Sequence, residues 1–275
     1  MAGVPRIASR WADRGFLADL RLVPEQFPLI WKLYHARVAE VRRGSGLGLL
    51  APFISIFVHT ALLGFVMSKV FGEPVERFIP FFAVSMSLWQ SVSIAISESA
   101  VTNERSAQYL AFPHVSSYMI HCVNALDMLM ALFSKILAAL LIVAVVNPGV
   151  LWRANYAGVV LGMLMIVAVM FAWALPIAWM FDRWRILRAF LPQMLFAVYL
   201  VTPILWPPDR IQTHRWMIDC NPVFQLIEVG RAPLLDGGWP LTSLAVAAAL
   251  CALGLLVSAN VFRHNRALIV FQWVA

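Results

Sequence analysis

Six apolar runs, each about as long as a bilayer-crossing helix, constrain this 275-residue chain more than any motif does. They occupy residues 47–67, 78–96, 126–146, 156–180, 186–205 and 241–261. A transmembrane helix needs about 20 mostly apolar residues. Pro176, Pro192 and Pro203 lie inside or near the fourth and fifth runs. Kinks are expected there, since neighbouring helices can satisfy the carbonyls that proline frees. The chain is 61% apolar and 13% charged, with a mean hydropathy of +0.79. That excludes a soluble globular enzyme, a disordered tail and a disulfide scaffold. The expected fold is an all-α polytopic membrane protein with six transmembrane helices. The first run starts at Leu47, after a long polar stretch, so it reads as a retained span and not a cleaved signal. Cys122, Cys220 and Cys251 lie far apart and form no disulfide framework or metal-site pattern.

The net charge of +7 suggests nucleic acid until the charges are located. Residues 1–46, the 2–3 and 4–5 connections and the C-terminus together carry 14 of the 21 Lys and Arg residues. The opposite side carries 6, and Lys135 lies within span three. By the positive-inside rule both termini are cytoplasmic, and no nucleic-acid partner is needed. The expected organisation is a cytoplasmic N-terminus (1–46), a six-helix membrane domain (47–261) and a cytoplasmic tail (262–275).

Phe27, Ile30, Trp31, Tyr34, Val38 and Val41 share one helical face, with Lys32, Glu40 and Arg43 opposite. Arg37 and Arg42 flank the apolar face and can snorkel to headgroups. This pattern predicts an amphipathic helix lying in the cytoplasmic interface. A packed helix of a soluble cap is the plainer reading. The 2–3 connection (98–117) predicts a short polar helix ending near Pro113, either an ordinary connector or a docking element.

The 206–240 segment is long for a connection. Asn221-Pro222 pairs a favoured N-cap with proline in the first turn, and the apolar run after it is too short to span. Short re-entrant helices between spans five and six are the economical solution. A folded external lid is the alternative.

Asp127 and Lys135 lie within span three, and such groups face protein or water. Depth alone pairs Asp127 with Arg188. His59 reads as a packing residue. Phe53 and Phe57 on span one share a face with Gly64. Phe78, Phe81, Phe82, Ser85 and Trp89 share a face of span two. Such stripes pack helices or face lipid; a path for a sugar chain is the functional alternative. GxxxxGK[ST], HExxH and GxSxG are all absent, so neither a nucleotide site nor a hydrolase nucleophile is indicated.

In this order the motifs resemble the membrane subunits of ABC-2 type polysaccharide exporters, the group that moves O-antigen, capsule or teichoic acid chains. The resemblance runs from about residue 28 to 270. It rests on residues 41–48 (VRRGSGLG) before Ala51-Pro52, on Phe112-Pro113, on residues 202–206 (TPILW), on Asn221-Pro222 and on residues 231–235 (RAPLL). Residues 181–185 (FDRWR) depart from the family's usual order there.

The resemblance implies a homodimer in a bacterial inner membrane, non-catalytic itself, with two copies of an ABC nucleotide-binding subunit. No cofactor is expected in this chain, because ATP and Mg bind the partner subunit. The substrate class implied is a polyprenyl-diphosphate-linked glycan, as in lipopolysaccharide biosynthesis. Phe53, Phe57, Phe81, Phe82, Ser85 and Trp89 would then line the path. Arg37, Arg42 and Arg43 would meet the diphosphate. Asn103, Glu104, Arg105, Tyr109, Phe112 and Pro113 would couple to the ATPase subunit. Pro203, Trp206, Asn221, Pro222 and Arg231 would form the external gate. The rival readings are an ABC-2 permease for a drug or lipid, a membrane enzyme acting on polyprenyl lipids, and a passive channel.

Overall fold

A computed structural model describes residues 16–44, 51–110, 118–210 and 213–271, leaving aside the side chains of 19, 41–44, 51, 52, 106–110 and 264–271. Among these residues the regular elements are helices, and no strand occurs. Helix α1 (Phe16–Glu25) leads through Gln26 into α2 (Phe27–Gly44). Five stretches are long and apolar enough to cross a membrane: Phe53–Phe71, Val75–Arg105, Met119–Val146, Tyr156–Arg183 and Leu241–Arg263. The chain is a helical, multi-pass membrane protein.

The first of these is α3 (Ala51–His59) and α4 (Phe65–Phe71) joined by a π-helical turn, Thr60–Gly64. Helix α5 (Val75–Leu110) has 36 residues and is about 54 Å long at the usual rise. The sequence predicts a span ending near 96 and a separate polar helix after it; the two are one helix. Residues 97–110 contain no Gly or Pro, and the Ser97 and Thr102 hydroxyls bond carbonyls one turn back. Lower hydropathy marks where the helix leaves the apolar zone, not where it stops.

Helices α6 (Met119–Val146), α7 (Gly149–Arg153), α8 (Tyr156–Arg183) and α9 (Leu187–Val201) follow. The last is 15 residues, about 22 Å, against roughly 30 Å of hydrocarbon. Beyond it lie α10 (Trp216–Asp219), α11 (Pro222–Leu235) and α12 (Leu241–Phe271).

Helix α5 runs through the middle, packed on α6, α8 and α11. Phe82, Leu88, Leu132, Ala139, Ile166 and Ile227 have no exposed surface. In lipid, close packing holds helices together more than expulsion from water does, so small residues and interhelical hydrogen bonds matter most. Ser87 Oγ donates to the Lys135 carbonyl at 3.2 Å, linking α5 to α6. Ser258 Oγ donates to the Ala172 carbonyl at 2.7 Å, and Trp173 Nε1 to the Leu250 carbonyl at 3.0 Å, linking α12 to α8.

The two ends of α5 carry different companions. At its start Asn147 Nδ2 donates to the Glu76 carbonyl, and Arg77 pairs with Asp209. Near its other end Asn103 donates to Asp182. Residues 182 and 209, which flank α9, therefore sit at opposite ends of the same long helix.

Candidate functional site

Helix α11 starts where the sequence places it. Asn221 Oδ1 accepts from the Val223 and Phe224 amides at 2.9 and 3.2 Å, and Pro222 fills the first turn. The other end of that amide donates to Thr202 Oγ1 at 3.0 Å, tying α11 to the end of α9. Gln225 Nε2 donates to the Asp219 carbonyl, and Ser243 Oγ donates to Gln225 Oε1 at 2.7 Å. The short helix is thus fastened to its own lead-in, to α9 and to α12.

Arg231 is its anchor. It is 3% exposed, an extreme value for a guanidinium. Nη1 donates to Ser85 Oγ at 3.1 Å and to the Pro203 carbonyl at 2.9 Å. Nε and Nη2 both reach Glu228 Oε2, at 2.9 and 2.5 Å. The guanidinium lies over Phe81 at 4.7 Å and near Phe224 at 5.5 Å, a cation–π arrangement. Past Val201 the chain is irregular, and Thr202, Pro203 and Ile204 are all buried. Buried irregular backbone must have its polar groups satisfied within the protein. Arg231 supplies that satisfaction for Pro203.

Of the residues the resemblance groups as a gate, Arg231 bonds the Pro203 carbonyl and Asn221 bonds the neighbouring Thr202, with Pro222 in the first turn between them. Trp206 stands apart and donates to the Leu200 carbonyl at 3.2 Å.

The other end carries two polar clusters. Arg37 on α2 donates to Asp127 Oδ2 and Asn124 Oδ1, both at 2.7 Å, and to Glu98 Oε2 at 3.3 Å. Arg105 also reaches Glu98, at 2.5 Å, and Asn124 Nδ2 donates to Thr102 Oγ1. In the second cluster Asp182 accepts from Asn103 Nδ2 at 2.7 Å and from Arg188, which also bonds Glu104 at 2.6 Å.

The expected Asp127–Arg188 pair is thus wrong: docking of α2 brings Arg37 to Asp127, and Arg188 has Asp182 six residues away. Arg37, expected to meet a diphosphate, already faces two carboxylates. Glu98, Asn124, Asp182 and Glu228 were missed as partners. Glu98, Thr102 and Arg105 do fall on one helical face, a signal the sequence carried. Asn103–Asp182 left none.

The aromatic stripe divides. Phe82 and Ser85 are wholly buried and Trp89 is 5% exposed, stacked on Tyr199 at 5.9 Å. Phe81 lies under Arg231. Phe57 is at the surface and Phe53 half-buried. The face on span two is core within the chain because α5 is central. Lys135 is buried, and its ammonium has no hydrogen-bond partner among the described residues. Phe112 and Pro113 lie outside the described residues, as do the side chains of Arg42, Arg43 and Tyr109.

The Arg37 cluster makes a testable claim. Arg37→Ala is expected to weaken the docking of α2 by about 1–2 kcal/mol, the scale of partly buried charged hydrogen bonds. Faster amide exchange in α2, with α8 unchanged, is the expected readout. Arg37→Asp combined with Asp127→Arg should recover part of the loss, and equal exchange in all variants would contradict the docking role.

Comparison with known proteins finds no matching family model and no matching curated sequence.

Proposed function

We propose that this chain is the permease subunit of an ATP-driven exporter moving a polyprenyl-diphosphate-linked polysaccharide across a bacterial inner membrane. It works as a homodimer with two copies of a separate ABC nucleotide-binding subunit and performs no chemistry itself. The observation carrying this reading is α11, a short helix from the 206–240 segment turned back into the bundle and anchored by Arg231. That segment is the one the resemblance makes the external gate.

In this reading the chain crosses six times. Span five combines α9 with the buried irregular stretch after it, and both termini are cytoplasmic. The Arg37 and Asp182 clusters then lie at the cytoplasmic end. Glu104 and Arg105 there keep more than half of their side-chain surface exposed, at 56% and 58%, open to a soluble partner. The exposed apolar faces of α3 and α9, with Phe57, Phe190 and Phe196, are left for lipid or for the second copy.

The test joins purification to physiology. Tagged chain should co-purify with an ABC nucleotide-binding subunit. A deletion strain should hold lipid-linked glycan inside the cell and lack it on the surface. Normal surface glycan in that strain would contradict the reading, and altered drug or lipid efflux with normal glycan would favour the rival permease.

A further inference from the structure

A cavity of about 740 Å³ lies among α2, α3, α5, α6 and α8. Its cause is local sequence. Ser91, Ala95 and Ser99 repeat at four-residue spacing along α5 and share this cavity with Ala125, Ala131 and Ser134 of α6. Small residues on both sides leave the helices a gap. The remaining walls are mainly apolar, with Phe53, Ile94, Met128, Met130, Met170 and Phe171. Ile94 and Met130 are 50% and 41% exposed, so the cavity opens on the outer face of α5 and α6. Its volume falls in the ordinary range for small-molecule sites.

The charges lining it do not balance. Arg37, Arg105, Glu98 and Asp127 are paired among themselves. Lys135 is the odd cation, eight residues beyond Asp127 and so about 12 Å further along α6. It is 3% exposed, and Nζ has no hydrogen-bond partner among the described residues. The hydroxyls of Ser91 and Ser134 donate to their own helix carbonyls, and neither accepts from Nζ. A buried ammonium without a partner is costly, and an anion beside it removes that cost.

We propose that the cavity binds an amphipathic organic anion, with its chain along the apolar wall and its carboxylate or phosphate at Lys135. The proposal concerns a single copy of the chain and does not rest on the export reading. Two sources share this chemistry: a free fatty-acid-like carboxylate and a single-chain lipid phosphate. Native mass spectrometry of the full chain in non-ionic detergent separates them, using decanoate and lysophosphatidate as probes and decanol as the uncharged control.

One specific adduct is expected with decanoate, lysophosphatidate or both, and little with decanol. Lys135→Met is expected to weaken it about tenfold or more, as loss of a charged hydrogen bond should. Ala95→Leu keeps the lysine, fills the gap and should also remove the adduct, so the test does not hang on one variant. A decanoate-only adduct identifies the carboxylate source, and a lysophosphatidate-only adduct the lipid phosphate. Equal binding to the wild type and Lys135→Met, decanol binding as well as decanoate, or no adduct with either anion would overturn the proposal.

Discussion

Arg231→Met is expected to destabilise the folded chain by about 3 kcal/mol or more, the cost of breaking a buried pair from one side. The variant leaves Glu228 without its cation and removes the donor from the buried Pro203 carbonyl. It also loses the guanidinium over Phe81. Methionine fits the volume, so lost packing contributes little. Arg231→Lys keeps the charge but cannot reach Ser85, Pro203 and Glu228 together, and should fall between wild type and methionine. Adding Glu228→Gln to Arg231→Met should return part of the loss, because the carboxylate is no longer stranded. Thermal unfolding in detergent reads all four. Wild-type stability in Arg231→Met would show that α11 is not held by this residue.

A glycine gives the second large effect. A Cβ on Gly162 would stand 2.5 Å from the Val229 carbonyl oxygen and 2.9 Å from Gly230 Cα. Both contacts are backbone, so no rotamer relieves them, and α8 and α11 must separate. Overpacking of this kind costs about 1–3 kcal/mol. It works against a helix-propensity gain of about 1 kcal/mol for Gly→Ala. Gly162→Ala should therefore be net destabilising, and Gly162→Val strongly so. Gly238→Ala, outside the helices and with nothing within 4 Å, is the control without a clash and should be nearly neutral. If Gly162→Val unfolds no earlier than Gly238→Ala, the close crossing of α8 and α11 is wrong.

These two residues show what the sequence could and could not convey. Five of the six apolar runs, the amphipathic α2 and the Asn221-Pro222 helix start were legible because periodicity and caps are local. The bonds of Arg231 to Ser85 and Pro203 were not, since the partners lie 146 and 28 residues away; the resemblance grouped Pro203 with Arg231 but set Ser85 apart on the path. Asp127 shows the same limit: with α2 undocked, Arg188 was the nearest cation by depth. The length of α9 was overestimated because residues 202–205 continue the apolar run, yet the helical hydrogen bonding ends with the Thr202 amide on the Val198 carbonyl. The aromatic face of span two was ambiguous from sequence, and only the central position of α5 assigns Phe82 and Trp89 to the core.

The sidedness of residues 183 and 209 tests the account most directly, because α9 and the irregular stretch after it are what separate them. Arg183 is exposed, and Asp209 keeps 63% of its side chain exposed. Each is replaced singly by cysteine in a chain lacking Cys122, Cys220 and Cys251. A membrane-impermeant maleimide should label Asp209→Cys in intact spheroplasts, and Arg183→Cys only after permeabilisation. Labelling of both under the same condition would mean that α9 does not cross, and the six-span exporter reading would fall with it.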